Sequence, residues 1–133
     1  MNKIVLSENH RRSVSSSIHI IEKMVLEIER VIAHPENGFL SKTINDMPDM
    51  DKEHYDSAIA GIKSEIKHIS EKYSLRTEEI KMSRVINSRK AKMWETVTDT
   101  TSRKLKGYKE FPKEMAIEFD NDISKLKVLI DSL

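Results

Sequence analysis

There is no cysteine anywhere in the 133 residues. That absence excludes a disulfide framework, a thiol nucleophile and a Cys-ligated zinc or iron–sulfur centre, and it suits a reducing compartment. Glycine and proline are scarce, with three of each, so few residues punctuate turns and no Gly-rich loop is available to cradle a phosphate. Aromatic side chains are few: three Phe, three Tyr and one Trp. Tyr55, Tyr73 and Phe119 fall on core stripes, which leaves too little for a platform that stacks single-stranded bases. Long apolar runs are missing too. Near the start only Ile4, Val5 and Leu6 stand together, too few for the core of a signal peptide, and nothing approaches transmembrane length. Charge of one sign is also lacking: 23 Lys and Arg stand against 22 Asp and Glu, a net charge of +1. No global field therefore steers the chain towards nucleic acid or membrane. The expectation is a cytoplasmic protein with no membrane attachment.

What the sequence does contain is aliphatic and charged side chains, 38% hydrophobic and 34% charged, the profile of long helices. The length fits one domain, residues 1–133, with a real core. Four stretches repeat apolar residues at helical spacing. The first runs Val14, Ile18, Ile21, Val25, Ile28, Ile32, and Ile20, Met24 and Val31 widen its stripe on one side. Ser7 is placed to cap its start, and Pro35 ends it, because a residue before proline avoids helical angles. The second runs Tyr55, Ile59, Ile62, Ile66, Ile69, Tyr73, with Asp49 or Asp51 as its cap. The third is less regular: Leu75, Met82, Ile86, Met93 and Val97, with Thr77, Glu78 and Glu79 as cap and acidic first turn and Gly107 as its stop. The fourth opens around Pro112 and runs Ala116, Phe119, Ile123, Leu126, Ile130, Leu133.

No Gly or Pro separates the second stretch from the third. The break is inferred from phase: continuing the Tyr55 series past Tyr73 reaches Ile80, then Arg84 and Asn87, and the seam is lost. Four amphipathic helices with this stepping predict an all-α four-helix bundle. Short connections make helices two, three and four successive antiparallel neighbours. The first connection, residues 34 to 50, is long and aperiodic, and it could reach about 55 Å when extended, so helix one can run either way. Within it Asn37-Gly38 reads as a turn, and Phe39, Leu40, Ile44 and Met47 read as anchors that pin the loop.

Motifs that carry chemistry are thin. Glu65 and His68 form the Glu-x-x-His spacing of bundle di-iron proteins, but that site needs the motif twice, besides a Glu from each remaining helix, and no second copy exists at His10, His19, His34 or His54. No Gly-x-Ser-x-Gly elbow exists. Arg12 and His19, six residues between them, resemble the arginine–histidine element of the helical HEPN ribonucleases. That element lies in the later helices of the family, not the first, and the chain is not assigned to it. Neither a catalytic role nor a cofactor is expected.

Charge layout says more. Residues 81 to 113 hold ten Lys or Arg against three acids, while residues 36 to 56 hold six acids against two Lys. On a helical wheel at about 100° per residue, Lys81, Arg84, Lys92, Arg103 and Lys106 share a stripe with Arg89 at its edge. This basic patch suits an acidic partner or a nucleic-acid backbone. Arg11 and Arg12, followed by Ser13, Ser15, Ser16 and Ser17, are a candidate anion contact. The same arginines can equally face acids such as Asp131, with the small serines letting a neighbouring segment approach. The broad apolar edge of helix one (Ile20, Met24, Val31) and the lone Trp94 are the candidate protein interface. Together these features predict a non-catalytic interaction protein, a small accessory or adaptor subunit that binds another chain, with a homodimer the preferred self-assembly. A nucleic-acid accessory role through the basic stripe is the alternative.

Overall fold

A computed structural model describes residues 3–47, 49 and 51–133. Pro48, which precedes the candidate caps of the second helix, lies outside the described residues. Among the described residues the chain is all-α with four helices: α1 (Glu8–Ala33), α2 (Lys52–Lys72), α3 (Met82–Thr98) and α4 (Lys113–Asp131), with one 3₁₀ turn at Lys104–Gly107. It divides into two compact units, Met1–Glu78 and Glu79–Leu133. Among the described residues no helix is long and apolar enough to cross a membrane.

In the first unit α1 and α2 pack against each other. Ser7 caps α1 as its position predicts: its hydroxyl accepts from the His10 N–H at 3.2 Å, satisfying one of the free donors that open every helix. Asp51, not Asp49, caps α2, with its carboxylate accepting from the His54 N–H at 3.2 Å. The two helices are antiparallel, which settles the direction left open by the long connection. The Ile4 N–H reaches the Lys72 carbonyl at 2.9 Å, so the chain entering α1 lies at the exit of α2. Further along, Glu29 on α1 pairs with Lys63 on α2 at 2.7 Å. Val25, Ile59 and Ile66 are buried between them. Ile62, expected in the same seam, stays half-exposed. The stripe α1 covers is narrower than α2's apolar face and is displaced towards Lys63, which leaves Ile62 at the edge.

The break after α2 is made without glycine. Ser74 takes φ 51°, the left-handed conformation that ends many helices. The Leu75 N–H bonds the Ser70 carbonyl at 2.9 Å and the Ser74 N–H bonds the Glu71 carbonyl at 3.4 Å, the two bonds of a Schellman motif. The loss of helical phase after Tyr73 marks this stop.

Residues 36–43 of the long connection close on themselves. The Gly38 N–H donates to the Ser41 carbonyl at 2.9 Å, and the Thr43 N–H and hydroxyl close the turn onto the Asn37 side chain and the Glu36 carbonyl. Arg30 pairs with Glu36 at its base. The expected turn at Asn37-Gly38 is present, but the expected anchors are not. Phe39 and Leu40 are fully exposed at the tip, and Ile44 and Met47 remain exposed, because polar contacts close the turn and aim its apolar residues outward.

In the second unit α3 and α4 pack against each other, also antiparallel. The Lys90 ammonium donates to the Asp131 and Leu133 carbonyls at 3.0 Å each, placing the end of α4 beside the middle of α3, while Asp120 near the start of α4 meets Ser102 beyond the end of α3. Val97 and Ile130 are buried between them, and the Phe111 ring folds back onto Phe119 with centroids 4.9 Å apart. Helix α3 is shorter at both ends than its periodicity predicts. At its start Glu78 is diverted to His19, and the helix opens after Lys81 without a side-chain cap. At its end Thr98, Asp99, Thr100, Thr101 and Ser102 are poor helix formers. The Thr96 and Thr100 hydroxyls bond back to the carbonyls four residues earlier at 2.8 Å, a pattern that competes with helix continuation. Asp120 on α4 then accepts from the Ser102 N–H at 2.8 Å and from its hydroxyl at 2.7 Å, fixing the turn.

Candidate interaction surfaces

Helix α1 carries an uncovered apolar face. Its inner side is set by Val25, with Val14, Ile18 and Ile32 partly covered. A turn of about 100° per residue puts Ile20, Met24 and Val31 on a second face. They are 51%, 57% and 57% exposed. Ile28, between the two faces, is half-exposed as well. All three residues singled out from the sequence thus lie together on one side of one helix.

Trp94 lies on the other unit, 43% exposed. The Lys127 ammonium sits over its ring, 4.5 Å from the centroid, a cation–π contact that fixes the indole at the α3–α4 edge. Close by, Met93, Val97, Ile123, Leu126 and Ile130 line an apolar groove of about 360 Å³ with Lys92 at its rim.

The six basic residues divide between elements. Arg84, Arg89 and Lys92 lie on α3, and Lys81 immediately precedes it. Arg103 and Lys106 lie beyond its end, at and within the 3₁₀ turn. The single helical stripe drawn from the sequence is therefore corrected to a shorter one of four, with the last two carried by the turn that the Thr-rich run and Asp120 impose. All six are exposed, and among the described residues none is in an ion pair.

Within the arginine–serine stretch, Arg11 and Ser15 contact their own unit, while Arg12, Ser13, Ser16 and Ser17 are exposed. Arg11 pairs with Glu8 at 2.5 Å, and Glu8 also takes Arg76 at 2.6 Å. The Ser15 hydroxyl accepts from the Arg76 N–H at 3.4 Å, and His19 Nε2 meets Glu78 at 3.1 Å. The segment leaving α2 is thereby strapped along the first half of α1. Ser15 is small enough to admit a backbone at that distance. Arg11 is occupied by an acid of its own first turn, whereas Arg12 stays exposed.

The Asp120 carboxylate clasps Ser102 at the α3–α4 turn. The Ser102 backbone N–H and then its hydroxyl hold the Asp120 carboxyl below the usual carboxylate range. The role is structural, and no signal in the sequence pairs Asp120 with Ser102 across 18 residues. Among the described residues, no three His, Asp or Glu side chains converge as a metal ion would require. Comparison with family models, with curated proteins and with solved structures finds no match to the chain.

Proposed function

We propose that this chain is a non-catalytic helical interaction protein of the cytoplasm, a small accessory or adaptor subunit that binds another protein chain through the outer face of α1. The observation that carries the reading is the row of large aliphatic side chains Ile20, Met24 and Val31, each more than half exposed on one face of a 26-residue helix. Completing the burial of such a half-exposed side chain is worth on the order of 1 kcal/mol. Three in a row, with Ile28 beside them, supply the apolar centre that a helix-packed interface needs. Trp94 offers a second contact region on the α3–α4 unit.

Replacing Ile20, Met24 and Val31 together with Glu tests this. None of the three is buried in the chain, so helix content by circular dichroism should be unchanged while association is lost. A variant that retained every association of the parent would refute the assignment.

The unpaired cations at Lys81, Arg84, Arg89, Lys92, Arg103 and Lys106 favour a second reading, contact with a nucleic-acid backbone. Phosphate binding weakens steeply with salt, whereas apolar association does not. Charge reversal at Lys81, Arg84, Lys92 and Arg103 should abolish duplex binding if this reading holds, and duplex binding that survives it would remove the reading.

A further inference from the structure

The outer face of α1 carries a charge pattern that is complementary to itself. Lys23 and Glu27 are both exposed and lie one turn apart beside Met24. Among the described residues neither is in an ion pair, whereas the nearby Glu29 and Arg30 are already taken by Lys63 and Glu36. A Lys followed by a Glu four residues on is the less favourable order within one helix, so this pair gains little from its own chain. Turned end for end against an identical helix, the order becomes an asset: each Lys23 then faces a Glu27 and each Glu27 a Lys23. The same antiparallel register sets Ile20 opposite Val31 and lays Met24 along the aliphatic stem of Glu27. A parallel pairing would instead set Lys23 against Lys23.

We propose that the occupant of this face is a second copy of the chain, docked α1 against antiparallel α1 across a twofold axis that crosses the outer face midway between Ile20 and Val31, with reciprocal Lys23–Glu27 pairs flanking an Ile20–Val31 and Met24 centre. This rests on the reading of α1 as the interaction face and names its partner. Such an interface is isologous and closed, which stops assembly at the dimer. Like-charge juxtaposition also disfavours the parallel alternative.

Sedimentation velocity on the full chain tests the register. The parent should be dimeric. Lys23→Glu and Glu27→Lys should each weaken self-association by about tenfold or more, since each sets two like charges face to face twice. Mixing the two variants in equal amounts should restore a dimer, because the first then presents two acids to two bases of the second. The double variant, which exchanges the charges within one chain, should dimerise like the parent. Helix content by circular dichroism separates lost pairing from lost folding, and the mixture is informative even where one variant is less stable. A parent that stays monomeric at high concentration, or single variants that do not recover on mixing, overturns the twofold arrangement. If Met24 of that monomeric parent can still be crosslinked to a different chain, only the choice of partner has failed.

Discussion

Ser74 is held in a backbone conformation that side chains disfavour. A non-glycine residue in the left-handed region costs about 1–2 kcal/mol, and Ser74 adopts it at φ 51° to close the end of α2. Ser74→Gly removes that strain while adding some unfolded-state entropy. The net expectation is a gain of about 0.5–1 kcal/mol, read as a higher urea midpoint at unchanged slope. Ser74→Val should be destabilising instead, since a β-branched side chain fits the left-handed region worst. Phe39 and Leu40 give the opposite case. They are large and apolar yet fully exposed at the tip of a hydrogen-bonded turn. Phe39→Ser with Leu40→Ser should therefore change stability by less than about 0.5 kcal/mol, as surface substitutions do, where buried anchors would cost several times more. Sequence alone could not separate these outcomes. Apolar type suggests burial, but the hydrogen bonds of Gly38 and Thr43 decide which way the turn points.

Among the elements, the caps and the long periodic runs were legible because they depend on neighbours in sequence. Ser7 and Asp51 cap through bonds spanning three residues, and the α1 and α2 stripes follow from spacing. The ends of α3 were not, because they depend on distant residues: Glu78 goes to His19 and Ser102 goes to Asp120. The basic stripe inherited that error, losing Arg103 and Lys106 from the helix. The Asp120 clasp has a pH signature. Its folded carboxyl titrates below its unfolded value because Ser102 donates to the charged form. The clasp's contribution is therefore fully present above the unfolded value, about 3.9, and is lost as pH falls through the lower folded value. Thermal scans in acid should show Asp120→Asn losing less stability than the parent as pH drops below about 4, while being less stable at neutral pH. Parallel loss in both proteins would show that the clasp is not charged.

For the molecule as a whole, the architecture is all-α with two antiparallel pairs, α1 with α2 and α3 with α4. The exposure of Ile20, Met24 and Val31 was legible because width of an apolar stripe is a sequence property: the three fall outside the arc centred on Val25 and stay more than half exposed. What a sequence cannot express is the identity of a docking partner, which depends on a second surface. The central claim, that the outer face of α1 is where another polypeptide binds, is tested most directly by placing a photoreactive phenylalanine analogue at Met24 and irradiating intact cells that express the full chain. The account predicts a discrete crosslinked adduct, with a second copy of the chain or with another protein, that disappears when Ile20 and Val31 are also replaced by Glu. Irradiation that yields no polypeptide adduct from position 24, in cells where the protein is folded and abundant, would contradict it.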